Sequence, residues 1–556
     1  MMFQNLLALI VILSPAAFTI TALMSWFQSG IRPKMVKQMG MISTVISIAI
    51  ALICGYLVMS YGQLQTELIG INNLGFSLRV DALSIMMMTM IALLGFIIVK
   101  FSINYLDGDK RQGAFIGRLA ATIASVQLLV LSGNLGILLV SWILTSVSLH
   151  RLLVFYSDRP GALVAAKKKF ILARLGDLCL LIAVVLMYNQ FGTGDLESIF
   201  TAIKNNQALG LPLAGLETVA IFLVLTALLK SAQFPTHGWL IEVMETPTPV
   251  SALLHAGLLN AGPFLIIRMA FVLEASSYAP IILMIVGGFT ALFGSVVYLT
   301  QTSVKTALAY SSIAHMGFSL MVCGLGVYPA AMLHLVAHSF YKAHSFLSSG
   351  SVIDVIRGSK IKSLEQAVKP YKVIIGIALA VGVYLGFAMI WGINPEKELS
   401  LLSIGAIIVL GLSRIFTAAL DSKKSLPLLI QATLMAILVT TAFFTLESGT
   451  HYLLSAQVPE LTVPGLGKIV AISAILIVFA AVVFIQILAP FISQNATYSA
   501  LAIHIRNGLY ANAIFDRTVS ALRVHSPETK HVTQLQADQF KRIEYINAES
   551  FDGQPA

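Results

Sequence analysis

Charge is what this sequence has least of. Only 11% of its 556 residues are Asp, Glu, Lys or Arg, less than half the roughly 25% of an ordinary soluble domain. A chain of this length with so thin a polar coat cannot be a set of soluble domains. Nor is it disordered, because 57% of it is hydrophobic and disorder needs the opposite balance. Cysteine is scarce as well: Cys54, Cys179 and Cys323 stand singly in apolar runs. That excludes a disulfide framework and leaves no CxxC or metal-ligand spacing. A Walker A loop, a dinucleotide fingerprint, a haem-attachment CxxCH and a nucleophile elbow are also missing. No catalytic residue, no metal and no cofactor is therefore expected in this chain, which reads as a transport component and not as an enzyme.

Apolar sequence is what the chain has in abundance. About fifteen stretches are long enough to cross the roughly 30 Å of bilayer hydrocarbon as helices. The predicted fold is an all-α polytopic membrane protein. Three crossings fall within residues 1–117, five within 118–273, five within 279–419 and two within 426–491, followed by a mostly polar tail, 493–556. The fourth is placed at 118–133, the sixth at 170–189, the eighth at 249–273 and the eleventh at 329–355. The first lacks a basic leader and a small-residue cleavage site, so it reads as a retained helix.

When the connecting segments are assigned alternately to two sides, one side receives twenty basic residues, among them Arg32, Lys100, Lys167, Lys168, Lys169, Lys360 and Lys423. The other receives four: Arg79, Lys204, Lys397 and Lys468. The positive-inside rule then puts the N-terminus outside and the tail in the cytoplasm. The net charge of +10 is thus topological and does not imply nucleic acid; the partner that surrounds the chain is a lipid bilayer.

Ionisable residues within the apolar runs cost at least about 2.5–3.5 kcal/mol each at the bilayer centre and need a reason. Lys230 lies five residues before Pro235 in LLKSAQFPTHGW. The proline removes a helical hydrogen bond at Ser231, so a helix break beside the lysine is expected, a transporter device. The alternative is a lysine snorkelling to the interface. His334, His338 and Lys342 recur at i, i+4 and i+8 in AAMLHLVAHSFYKAHSF, one face of a helix and a candidate proton relay. The competing reading is a stripe of interhelical hydrogen bonds; His344 lies off the stripe. His255, in PTPVSALLHAG, is a relay step or a buried hydrogen-bonder. Arg174 and Asp177, at i and i+3, read as a local ion pair. Glu242 and Glu245 are either a cation entrance or solvated loop carboxylates. Lys305, with His315 further along, opens the tenth crossing as an ordinary flank.

KSAQFPTHGWL followed by PTPVSALLHAG resembles the signature of the antiporter-like, proton-conducting membrane subunits of complex I and of multisubunit cation/proton antiporters. KTALAYSSIAHMGF, HLVAHSFYKAHSFLSSGSVI and KKFILARLGD resemble three further motifs of that family. The resemblance implies two inverted five-helix repeats, crossings four to eight and nine to thirteen, with a broken seventh. It also implies a polar path in which Lys230 is the central lysine and His255, Lys305, His334, His338, Lys342, Arg174 and Asp177 take part. Two departures stand out. Relatives place a glutamate directly after a tryptophan in the fifth helix, whereas here Ile143 follows Trp142 and no carboxylate occurs from Leu135 to Ser157. Relatives also break the twelfth helix around a lysine, whereas here Tyr371 to Ile393 is unbroken and the nearby Lys397 sits in a loop.

The shortened ending, with RNGLYANAIFDRTV as a docking segment, and the HAGLLNAGPF stretch most resemble the membrane subunit of the DAB-type inorganic carbon complex. That resemblance implies a cation-conducting subunit, with protons as the expected ion, in a bacterial inner membrane. It implies inorganic carbon (CO2/bicarbonate) transport with a large peripheral cytoplasmic partner that resembles carbonic anhydrase and carries the zinc. The alternatives are a proton-pumping subunit of a respiratory or hydrogenase complex, or a subunit of a multisubunit Na+/H+ antiporter.

Overall fold

The computed structural model describes residues 7–157, 159–211, 215–351, 370–394, 397–422, 425–492 and 496–521. Arg357, Lys360, Lys362, Lys369, Lys423 and Lys424, six of the twenty residues on the basic side, lie outside the described residues, as does the tail beyond 521. Met1–Ala511 form one compact unit, and a second begins at Asn512, described as helical through Ala521.

The first unit is built from helices. In chain order they are α1 (Leu13–Met24), α2 (Lys34–Tyr61), α3 (Ala82–Tyr105), α4 (Gln112–Val130), α5 (Leu135–Leu153), α6 (Pro160–Phe191) and α7 (Leu196–Ala208). Then come α8 (Leu216–Lys230), the short α9 (Gly238–Glu242), α10 (Thr248–Ala256), α11 (Ala261–Arg268) and α12 (Ala270–Glu274). The remainder are α13 (Ala279–Tyr298), α14 (Val304–Gly324), α15 (Tyr328–Leu347), α16 (Pro370–Trp391), α17 (Leu399–Asp421), α18 (Ser425–Leu454), α19 (Leu466–Ile492) and α20 (Ala496–Arg506). Polar caps start several of them. Asp81 Oδ1 accepts from Ser84 N at 2.8 Å, and Asn134 Oδ1 accepts from Gly136 N at 2.9 Å, satisfying otherwise orphaned amides.

Among the described residues, twelve helical segments are long and apolar enough to cross a membrane, Thr248–Arg268 counted as one of them. Three of the expected crossings fall short. The first is a short apolar helix, Leu9–Met24. The seventh, α8, stops after 15 residues, about 22 Å of rise. The eleventh, α15, is long enough, but three histidines and a lysine dilute it.

Three placements differ from the sequence reading. The sixth crossing begins at Pro160, not 170, so Lys167, Lys168 and Lys169 lie within α6 and not in a loop. Proline is tolerated at a first helical turn, and the apolar window simply could not register a helix that starts in basic sequence. The eighth crossing is not one helix but α10, a short turn at Leu258–Asn260, α11 and α12. The fold also has two small antiparallel ladders, β1 (Leu64–Gln65) with β4 (Arg79–Val80) and β2 (Ile69–Ile71) with β3 (Leu74–Phe76).

Glycines set the closest helix contacts. α13 and α14 meet almost backbone to backbone: a Cβ on Gly287 would stand 2.6 Å from the Gly317 carbonyl oxygen, and one on Gly294 2.7 Å from Ala314 N. At Gly262 in α11 a Cβ would fall 2.0 Å from Ser231 Oγ and 2.7 Å from the Ala227 carbonyl oxygen, at the very end of α8. Gly262→Ala should therefore push α11 off the broken end and cost about 1–3 kcal/mol, as overpacking does. A melting curve of the purified protein that matches wild type would refute this close fit.

A buried ionic knot ties the ladder region to α11. Asp81, fully buried, accepts from Arg268 Nη1 at 2.5 Å, from Arg268 Nη2 at 3.2 Å and from Arg79 Nε at 2.6 Å. Arg79 also donates to Glu197 at 2.7 Å and to Gln63 at 2.8 Å, and Arg268 to Ser84 Oγ at 2.7 Å. Burial by itself would raise the Asp81 carboxyl, but the two guanidiniums hold it well below the usual carboxylate range.

Candidate functional site: two polar clusters

The first cluster forms where α8 ends. Lys230 is its last helical residue, and Ser231 to His237 follow without helix until α9 resumes at Gly238. Lys230 Nζ donates to Ser146 Oγ at 2.6 Å and lies 4.4 Å from the centre of the Trp142 ring, both on α5. The tryptophan thus presents its π face to the ammonium, an attractive contact for a cation. A second lysine shares the same serine: Lys169 Nζ donates to the Ser146 carbonyl oxygen at 2.8 Å. On α6, Arg174 Nη2 and Asp177 Oδ2 form the expected pair at 2.6 Å, and Asp177 is within electrostatic reach of Lys230 and Lys169.

The two carboxylates after the helix break, the half-buried Glu242 and the exposed Glu245, both reach α6. Glu242 pairs with the fully buried Lys168 at 2.6 Å. Glu245 Oε2 accepts from Ala162 N at 3.2 Å, capping the start of α6. Both hold α6 against the segment after the helix break.

The second cluster lies between α14 and α15. His315 Nδ1 and His334 Nε2 are 3.2 Å apart. The His338 ring is 4.7 Å from His315 and 5.9 Å from His334, centre to centre. One turn on, Lys342 is buried and donates to the Leu308 carbonyl oxygen at 3.1 Å. His255, buried in α10, stacks on Phe346 of α15 at 4.3 Å and is within electrostatic reach of Lys342. Beside His315 and His334 opens a cavity of about 580 Å³, walled mainly by apolar side chains including Phe318, Ile404, Phe443 and Phe479.

α11 and the turn before it touch both clusters. Gly262 packs on Ser231, while Asn260 Nδ2 donates to Ser339 Oγ on α15 at 2.7 Å. The structure thus groups Lys230, Arg174 and Asp177 in one place and His334, His338, Lys342 and His255 in another. Lys305, second residue of α14 and half-buried, is about three turns from His315 and takes no part in the polar contacts described for either cluster. Pro235 lies in the non-helical stretch itself. In the second half, Pro370–Trp391 is a continuous helix, as the apolar run required.

Residues 132–389 match the family described as NADH:quinone oxidoreductase/Mrp antiporter, TM, and residues 68–116 match the complex I chain 5 N-terminus. The "Probable inorganic carbon transporter subunit DabB2" of Halothiobacillus neapolitanus is 35% identical over 457 residues, covering 81% of each chain. The chain belongs to this family of antiporter-like membrane subunits. Another member, the "Probable inorganic carbon transporter subunit DabB" of Hydrogenovibrio crunogenus, is 40% identical over 58% of this chain and 61% of its own. NADH-quinone oxidoreductase subunit L of Mycobacterium tuberculosis is 36% identical over 50% of this chain and 44% of its own. The fold is shared with a chain in the structure of the Mrp complex from Dietzia sp. DQ12-45-1b, at a TM-score of 0.60 and 22% identity, covering 98% of this chain and 63% of that one.

Sequence reasoning missed Lys169, counted among the flanking charges, and the Asp81–Arg268 pair. A signal for the first existed: Lys169 lies eight residues before Asp177, two turns along one face of a helix. The second had none, because its partners are 187 residues apart.

Proposed function

We propose that this chain is the proton-conducting membrane subunit of an inorganic carbon (CO2/bicarbonate) accumulation complex. It works with a peripheral cytoplasmic, zinc-containing, carbonic-anhydrase-like subunit. The observation that carries the conducting role is the set of titratable side chains inside the helical unit, with His255, His338 and Lys342 buried and Lys230, His315 and His334 half-buried, each an expense that packing alone does not require. The similarity to subunits named for inorganic carbon transport supports the cargo.

In this reading Lys230 alternates between protonated and neutral on Ser146. Protons pass between it and the His315/His334/His338 group through His255 and bound water. Each charge moved inward releases about 2.3 kcal/mol per 100 mV of membrane potential, which makes cytoplasmic CO2 hydration effectively one-way. With the N-terminus outside, the tail faces the cytoplasm and docks the partner.

The test is expression in a carbonic-anhydrase-deficient bacterium at ambient CO2, with the membrane subunit, its co-purifying zinc partner, or both. Growth is expected only with both; failure of rescue by well-expressed, assembled complex would overturn the carbon reading. A second reading follows from the similarity to subunit L over half the chain: a proton-pumping subunit of a respiratory complex. Co-purification with iron–sulfur and quinone-site subunits would favour it.

A further inference from the structure

Lys169 is a buried cation for which the conduction path above has no use. The residue is only 4% exposed, and its ammonium hydrogen-bonds the Ser146 carbonyl, a neutral acceptor. The neighbouring Lys168 has Glu242. The charged and titratable groups facing Lys169 are His150 on α5, Lys230 on α8, and Arg174 and Asp177 on its own helix. Asp177 is the one carboxylate among them, and Arg174 lies 2.6 Å from it. With both lysines charged, two ammoniums would be bridged by a single serine, through its hydroxyl at 2.6 Å and its carbonyl at 2.8 Å, with one carboxylate for three cations. Like charges held this close do not ionise independently.

We propose that Lys169 and Lys230 form a coupled pair on Ser146 that holds one excess proton between them, so that a second lysine, in place of a carboxylate, governs when Lys230 is charged. This rests on the proton-conducting reading of Lys230. In that reading Lys169 is a positioning residue: it acts on the moving proton through its repulsion of the Lys230 ammonium. Removing it leaves Lys230 facing Asp177 with one cation fewer, so Lys230 keeps its proton to higher pH. Fixing a permanent charge there drives Lys230 to the neutral form. A merely structural lysine would give neither effect.

Two measurements on the full chain in proteoliposomes and nanodiscs test this. In the first, proton flux is followed against pH. Lys169→Met should retain flux with its alkaline limb moved up by about one pH unit or more, and Lys169→Arg, which cannot deprotonate, should lose about tenfold or more. Both variants keeping the wild-type profile would overturn the pair. In the second, 13Cε-lysine NMR at pH 7 reads amine against ammonium without any transport. On a Lys342→Arg background, which removes the other buried lysine bonded to a carbonyl, the chain should show a neutral-lysine resonance that disappears on adding Lys169→Met or Lys230→Met. Absence of that resonance before either is added, or its persistence after both single additions, also overturns the pair. A neutral lysine that behaves as expected in a protein that passes no protons would instead sink the conduction reading and leave the pair standing.

Discussion

Lys230→Ala should reduce proton conduction by about 100-fold or more, the scale on which a positioned proton-transfer group matters, while the protein still assembles in the membrane. The alanine removes the 2.6 Å bond to Ser146 and the contact with the Trp142 ring, but the helix end is held independently. Ser231 N bonds the Ala227 carbonyl, and Gly262 of α11 packs against the same turn. Assembly is read by size-exclusion profile and melting temperature, conduction by acidification of proteoliposomes under an imposed potential. Lys230→Arg sharpens the comparison. It keeps a cation above Trp142 yet cannot release its proton near neutral pH, so it too should be inactive. Full flux through either variant would remove Lys230 from the path.

The largest effect on stability is expected at Asp81. Replacing it by Ala takes the carboxylate from the buried Arg268 and leaves Arg79 only the part-exposed Glu197 as a carboxylate partner, and breaking a buried pair from one side typically costs about 3–5 kcal/mol. A loss of that size in a marginally stable fold should show as a sharply lowered melting temperature or as failure to accumulate. Glu197 provides the contrast: its side chain is 44% exposed, so Glu197→Gln should cost about 1 kcal/mol or less. The pH dependence has a defined sign. The Asp81 carboxyl is held below its unfolded value, so its contribution is complete above about pH 4. It is lost only as pH falls through the depressed folded value. Acid sensitivity at mildly acidic pH should therefore arise elsewhere, and an Asp81→Asn variant should keep the wild-type profile there.

Much of this architecture was legible because a bilayer makes the sequence declare itself. Apolar runs mark helices, and a lysine or histidine inside one demands a partner. That logic found the helix end at Lys230, the Arg174–Asp177 pair and the stripe of α15. It failed where a helix begins in polar sequence: the Lys167–Lys169 run looked like a flank, because a hydropathy window cannot tell a basic loop from a basic first turn buried by neighbouring helices. It could not show the contacts of Glu242 and Glu245, which lie with Lys168 and the start of α6, some eighty residues away. Nor could spacing within one helix show that His315 of α14 meets His334 of α15, or that Trp142 and Ser146 of α5 both contact Lys230.

The glycine-lined meeting of α13 and α14 has a mechanical consequence. With backbone against backbone, the two helices can neither slide nor roll past one another without collision, so they travel as one plank that carries His315. The 3.2 Å approach to His334 then depends on how that plank seats against α15. A slip there by two residues' rise, about 3 Å, would carry the imidazoles out of hydrogen-bond reach. The histidine contact is in effect a gauge, turning a small axial displacement into an open or closed connection.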